Sequence, residues 1–339
     1  MKKKRVLALM HRDLVPPDKA TQKEVALAEW KTEYYVVNNL RKNGHEVQKL
    51  GVLSDLGKID DAVESFKPHI VFNLLEEFDG RSIFDQNIVS YLELKHIKYT
   101  GCSPRGLLLA RDKALSKKVL KYHRIPCPNF QVFPIGRNPK ILRKLEFPMI
   151  VKSLVEESSL GISQSSVVHN EDKLRERVAF IHESLNTDAI VEQFIEGREI
   201  YMGVLGNKRL EVFPPWELVF KNAPESSTMI ATSRVKHSVK YREKHRITTQ
   251  EAKNLSEEVI SRIHKVCKRS CKALSLDGYS RFDIRLTPSG NPYIIEVNPN
   301  PDIADYEDYA MAAHYAGIEY PQLLDRIISL GLNRPQRLA

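Results

Sequence analysis

At 339 residues, with a formal net charge of +9 and 42% hydrophobic residues, the chain is too long for one small core and suits two or three compact domains of a soluble globular protein. No apolar run is long enough to span a membrane, and four cysteines without metal-ligand spacing argue for reduced thiols in the cytosol. The basic residues are spread along the chain without interleaved aromatics, which disfavours a nucleic-acid platform and leaves a solvated basic surface suited to anionic substrates.

The first element is a strand over Val6–Met10. It follows Met1-Lys-Lys-Lys-Arg, and its apolar run is too short for a signal peptide. A helix is expected over Thr21–Asn43, ended by Asn43-Gly44. Then come a strand at Glu46–Leu50, a helix at Asp60–Phe66, a buried strand at His69–Leu74, a helix at Phe84–Lys95 and a short strand ending at Tyr99-Thr-Gly-Cys. Such alternation implies a parallel sheet covered by helices. No Gly-x-Gly-x-x-Gly follows the first strand, so a dinucleotide fingerprint is absent.

A helix is expected from Arg111 to His123, a strand at Phe130–Phe133, a helix over Pro139–Leu145 and a strand at Pro148–Ser153 carrying Lys152. Beyond it Val155-Glu-Glu-Ser-Ser-Leu-Gly161 is a small-residue loop. Backbone N–H groups in such a loop, with serine hydroxyls and a lysine, can cradle phosphates, although a surface lysine beside a solvent loop looks similar. A helix over Glu171–Leu185, a strand over Ala189–Ile195, and strands at Arg198–Leu205 and Leu210–Val219 follow. Asn222–Arg246 reads as a long polar, basic loop of the kind that is usually functional or disordered. Thr249–Leu274 has helical spacing of Leu255, Val259, Ile263 and Val266. The end of the chain is helical over Ala310–Ala316 and Pro321–Leu330.

Between those helical regions lies the most informative stretch. Arg281-Phe-Asp-Ile-Arg, a turn at Pro288-Ser-Gly-Asn and Ile294-Ile-Glu-Val-Asn-Pro-Asn300 form a β-hairpin pattern. With a turn centred on Ser289-Gly290, Asp283 faces Glu296 and Arg281 faces Asn298, all on one face. Carboxylates directly across a hairpin repel, and a cation between them removes the repulsion. Two carboxylates and a carboxamide oxygen suit Mg²⁺ at a nucleotide, where the remaining ligands are waters and phosphate oxygens.

Taken together, the chain resembles the ATP-grasp superfamily and within it the D-alanine–D-alanine ligases. The resemblance is carried over essentially its whole length by Lys113 in Arg-Asp-Lys-Ala-Leu-Ser-Lys, Lys152 in Ile-Val-Lys-Ser, Glu157-Ser-Ser-Leu-Gly, Val191-Glu-Gln-Phe-Ile-Glu-Gly-Arg-Glu199, Lys236, Arg281-Phe-Asp and Glu296-Val-Asn-Pro-Asn. It implies an α/β, three-domain ATP-grasp fold. An N-terminal Rossmann-like domain would cover 1–104, a central lid subdomain 105–195 and a C-terminal subdomain 196–339, with ATP between the last two. Lys113 and Lys152 would contact its phosphates, and Ser158 and Ser159 would lie over the γ-phosphate. Glu192, Gln193, Phe194 and Ile195 would form the adenine hinge, and Glu199 would hold the ribose. Lys236 would reach the γ-phosphate on closure, Arg281 would stabilise the transition state, and Asp283, Glu296 and Asn298 would bind two Mg²⁺, for which Mn²⁺ could substitute. The resemblance further implies a cytoplasmic homodimer acting on a small carboxylate and an amine through an acyl phosphate, with no nucleic acid or membrane partner.

The departures from the family's pattern concern substrate. Aligning Glu24-Val25 with the family's Glu-Val puts Gln22 where a substrate-binding glutamate belongs. The family's His-Gly segment has become Asn73-Leu-Leu-Glu-Glu-Phe-Asp-Gly80, which brings in Glu76. After Asn298 the family's carboxylate-binding Pro-Gly and serine are replaced by Pro301-Asp-Ile-Ala-Asp-Tyr-Glu-Asp308. Asp302, Asp305, Glu307 and Asp308 would repel an acceptor carboxylate, although acids here also suit a helix N-terminus. The expectation is a carboxylate–amine ligase whose acceptor is not D-alanine. Its rivals are a genuine D-alanine–D-alanine ligase with an altered pocket and a non-catalytic ATP-binding regulatory protein.

Overall fold

The computed structural model describes residues 2–137, 139–155, 162–222 and 229–334. The first layer is a parallel sheet of β1 (Arg5–His11), with α1 (Gln22–Leu27) and α2 (Lys31–Lys42) after it, β2 (Glu46–Val52), α3 (Gly57–Phe66) and β3 (Ile70–Asn73). Its strand order is β2-β1-β3, and Tyr99 adds one parallel bridge to Val71. The run Val6–Met10 is completely buried, as expected of a strand covered on both faces. The helices α4 (Asp85–Leu94), α5 (Pro104–Arg111) and α6 (Lys113–Tyr122) lead out of this layer.

A second, antiparallel sheet contains β4 (Phe130–Phe133), β5 (Met149–Ser153), β6 (Val167–Val168) and, after α7 (Glu171–Leu185), β7 (Ala189–Gln193), in the order β4-β7-β5-β6. Its core is its own. Phe133, Met149, Val151, Leu174, Ile181 and Val191 belong to a cluster drawn entirely from this segment.

The third sheet comprises β8 (Arg198–Leu205), β9 (Glu211–Val212), β10 (Trp216–Phe220), β11 (Ile247–Glu251), β12 (Tyr279–Leu286) and β13 (Pro292–Pro299). The path β11-β10-β8-β12-β13 is antiparallel throughout. The helices α8 (Ser233–His237) and α9 (Val239–Lys244) precede β11. α10 (Glu257–Ala273) follows it, and α11 (Asp308–Tyr315) and α12 (Tyr320–Leu332) come last. One apolar cluster runs from Leu7 and Val71 in the first layer through Leu107 and Leu120 to Met202, Phe282 and Val297 in the third. The first and third layers therefore share a core that the second does not enter.

The expected elements hold with corrections. The helix placed at Thr21–Asn43 is two helices: a Thr21/Glu24 capping box starts α1, Ala28 turns extended, and the buried stripe Val36, Val37 and Leu40 belongs to α2. The helix placed at Arg111–His123 begins afresh at Asp112, whose carboxylate accepts from the N–H groups of Ala114 and Leu115. No helix forms at Pro139–Leu145, because the Gln131 side chain accepts from Leu142 N–H and donates to Lys140 C=O. Leu210–Val219 is interrupted at Pro214-Pro215, which cannot donate to a ladder. Residues 229–246 of the expected loop carry α8 and α9. Thr249–Glu251 belongs to a strand, so α10 starts only after its Ser256 cap.

In the hairpin the facing pairs are as expected, Asp283 with Glu296 and Arg281 with Asn298. The turn, however, is centred on Ser289, with Thr287 N–H bonded to Asn291 C=O. A bulge reconciles the two. Ile284 pairs with Ile294, so Ile295 is an extra residue that restores the register at Glu296. At the entrance to β8, Gly197 has φ +147°, and a Cβ there would meet the Leu286 carbonyl oxygen at 2.1 Å.

Leu174→Ala should cost about 3 kcal/mol, since it leaves a cavity in the second layer's private core. Urea unfolding measures it, and a loss below about 1 kcal/mol would show that this core collapses around the gap.

Candidate active site

A cleft of about 610 Å³ lies between β5 and β7 on one side and β12 and β13 on the other. Its volume falls in the range of small-molecule sites. Strand alternation explains who faces it. Lys152 on β5 and Glu192 on β7 point in from the second sheet, and Asp283 and Glu296 from the third. Phe194 and Ile195 line it where β7 ends, Lys236 reaches it from α8, and Glu199 from the start of β8. Lys113 joins them from α6.

The charges are arranged in compensated groups. Glu192 is 1% exposed and lies 2.9 Å from Lys117 and 3.1 Å from Lys152. Burial alone would raise its carboxyl, but these two lysines outweigh burial and hold it below the ordinary carboxylate value. Lys117 also donates to Ile295 C=O at 2.6 Å, the carbonyl that the bulge turns out of the ladder. Glu296 lies 3.1 Å from Lys113. Burial again pushes upward, and the charges of Lys113, Lys236 and Lys152 prevail and keep its carboxyl low. Asp283 receives both Arg281 Nε at 2.8 Å and another guanidinium nitrogen at 3.2 Å, with Asn298 Nδ2 at 3.3 Å. Burial works against the Arg281 charge, yet Asp283 and Asp308 hold the guanidinium more firmly protonated, over the Tyr201 ring.

Glu199 lies 2.9 Å from Arg285 and accepts from Tyr201 Oη at 2.9 Å. Arg285 in turn donates to Gly197 C=O and Met229 C=O and lies over Phe194. It thereby joins the end of β7, β8 and the segment before α8. The Phe194 N–H is taken by Pro148 C=O and the Gln193 N–H by Asn129 C=O.

Most of the residues singled out from sequence therefore meet. Lys152, Glu192, Gln193, Phe194, Ile195, Glu199, Lys236, Asp283 and Glu296 line one cleft, with Lys113, Arg281 and Asn298 bonded to its carboxylates. Ser158 and Ser159 lie outside the described residues. Gln22 does not join the cleft. It is exposed at the first position of α1, and the Glu24 used to align it caps that helix, accepting from Thr21 N–H at 2.7 Å. Asp302 lies beyond the hairpin. Its Oδ1 accepts from Thr32 Oγ1 at 3.1 Å and from Ala304 N–H at 2.9 Å, which ties this loop to α2. Glu76 follows β3 on the same side of the molecule as Asp302, since both act on the buried Glu33. Sequence reasoning missed Lys117, Arg285 and Glu33. Only Lys117 left a local signal, standing one helical turn after Lys113.

The donor set fits Mg²⁺. Asp283 and Glu296 face one another, with Asn298 beside them, and the two carboxylates are neutralised by side-chain cations. Among the described residues no three acidic, histidine or cysteine side chains converge on one point, so any ion here takes further ligands from phosphate or water.

Comparison with known proteins gives the fold its class. Residues 119–329 match the family model described as D-ala D-ala ligase C-terminus. The chain is 30% identical to the uncharacterized protein y4sG of Sinorhizobium fredii, over 88% of this chain and 87% of that one. It is 28% identical to the D-alanine–D-alanine ligase of Pelotomaculum thermopropionicum, over 93% and 94%. Among solved structures, the D-alanine–D-alanine ligase of Bacillus anthracis complexed with ATP superposes with a TM-score of 0.72 at 23% identity, over 97% of each chain. The three layers and the cleft between the last two are those of an ATP-grasp protein.

Glu192 and Glu296 both have folded carboxyls below the ordinary 4.5. Their contribution to stability is thus fully present above that value and is lost as the pH falls through the lower folded values. Lys117→Met should cost about 3 kcal/mol at neutral pH by orphaning a buried carboxylate. Urea titrations from neutral to acid pH should show that cost shrinking as Glu192 becomes protonated. A cost independent of pH would contradict the ion-pair account.

Proposed function

The chain belongs to the D-alanine–D-alanine ligase family of ATP-grasp proteins, and we propose that it is an ATP-dependent carboxylate–amine ligase whose acceptor is not D-alanine. The observation that carries the ligase reading is the intact polar cleft. Three lysines, an arginine and the Asp283, Glu296 and Asn298 set face one space between two sheets. That equipment suits phosphoryl transfer, in which catalysis is mainly positioning and neutralisation of charge.

Lys113, Lys152 and Lys236 bind phosphate oxygens, releasing the carboxylates they hold in this structure. Phe194 and Ile195 offer an apolar wall to the adenine, and Glu199 receives the ribose hydroxyls. Asp283, Glu296 and Asn298 hold Mg²⁺, which when bound neutralises charge on the transferring phosphoryl group. The donor carboxylate attacks the γ-phosphorus and ADP leaves. The acceptor amine then attacks the acyl phosphate carbon, forming the C–N bond as phosphate departs and a proton is lost. Arg281 stabilises the oxyanion of that second step. One acid, one amine and one ATP give one amide, ADP and phosphate.

The view that the acceptor is not D-alanine is supported by the residues following Asn298. Asp302, Glu307 and Asp308 crowd that side of the cleft, where a substrate carboxylate would meet like charge.

Phosphate release from Mg-ATP across a matrix of small acids and amines tests both parts. Release should require an unlike acid–amine pair, and Arg281→Ala should lower kcat by about 100-fold or more. Release with D-alanine alone would overturn the acceptor assignment, and silence with every pair would overturn the ligase reading.

A further inference from the structure

Beyond the hairpin lies a second group of acids that binding of ATP and Mg²⁺ does not use. Glu33 stands in the first turn of α2. It is 5% exposed, and its Oε2 has no hydrogen-bond partner. Burial, followed by the charges of Glu76 and Asp302, pushes its carboxyl up to about 7. Glu307, just before α11, is pushed up to about 7 in the same way, by burial and then by Asp302 and Asp308. A buried carboxylate oxygen without a partner is costly, and native proteins rarely retain one without use.

The group is continuous with the reaction centre. Asp308 acts on Arg281, Glu307 feels both Asp308 and Asp302, and Asp302 acts on Glu33. Acidic charge thus runs from the arginine at the hairpin to the start of α2. Tyr35 and Tyr306 pack edge to face at 5.7 Å beside it, and Thr32 fixes Asp302. Lys31, the cation of α2 nearest this loop, lies over the Tyr306 ring at 4.9 Å. The acids are strung out rather than gathered. Among the described residues no three converge as a metal ion would require. An extended organic cation fits such a row better than a point charge.

We propose that Glu33, Glu76, Asp302 and Glu307 form a subsite for a second positive charge on the acceptor, so that the enzyme ligates a diamine, or an amine of similar length bearing another cationic group. The attacking amine lies at the Arg281 end, and the distal ammonium binds Glu33 and Asp302. The inference rests on the ligase reading for the word acceptor, but the subsite itself is a binding claim.

Calorimetric titration of the full chain with Mg²⁺ and a non-hydrolysable ATP analogue tests it without turnover. The probes are putrescine and cadaverine, set against butylamine and pentylamine. The diamines should bind about tenfold or more tightly than the monoamines of equal length. Glu33→Gln and Asp302→Asn should each reduce that preference, with nucleotide binding measured alongside to show that each variant is folded. Equal affinity for diamines and monoamines, no detectable binding of either, or a preference that survives both substitutions overturns the subsite. Failure of the ligase reading is separate. It shows as absent phosphate release with every acid–amine pair, whichever amines bind.

Discussion

The active cleft depends on buried carboxylates that keep their charge. A carboxylate removed from water reverts to the neutral acid unless positive partners outweigh the loss of hydration. Glu192 has Lys117 and Lys152, Glu296 has Lys113, and Asp283 has Arg281. These pairs draw the lysines of α6 and β5 and the arginine of β12 to one place. The cations a nucleotide needs are therefore already assembled, each held by a carboxylate that has another task once phosphate arrives. The acids near α2 show the contrary case. Lacking such partners, Glu33 and Glu307 are pushed toward neutrality.

Much of this was legible in the sequence, for local reasons. The hairpin faces follow from the two-residue period of a strand, and the parallel layer from alternating apolar runs and helices. The pairing across the hairpin came out as expected although the turn lies half a residue from its assumed centre, because the bulge at Ile295 compensates. Helix boundaries fared worse where side chains compete with the backbone. Asp112 caps a new helix inside an apparently continuous one, and Gln131 satisfies the groups a Pro139–Leu145 helix would have used.

What sequence could not supply was convergence from distant elements. Arg285 reads as one more basic residue on an alternating strand. It becomes a joint among β7, β8 and the segment before α8 only when its two carbonyl partners and Glu199 are in place. Glu33 reads as an ordinary first-turn acid, and its meaning comes from burial against Glu76 and Asp302, chain segments far away in sequence. Gln22 shows the reverse error: aligning Glu24 suggested a substrate contact, but that glutamate closes a capping box.

The private core of the second layer has a mechanical consequence. A plate whose apolar contacts are internal can swing without exposing them, as hinge motions require. The resistance to such a swing is carried by a few polar links, Lys117 to Glu192 and Lys121 to Asn129, and by a small apolar cluster joining Ile150, Val167 and Ile230. Opening the cleft therefore trades ion pairs for hydrated charges rather than oil for water. Its equilibrium should respond to ionic strength more than to temperature, and an entering anionic nucleotide competes for the same lysines that latch the plate shut.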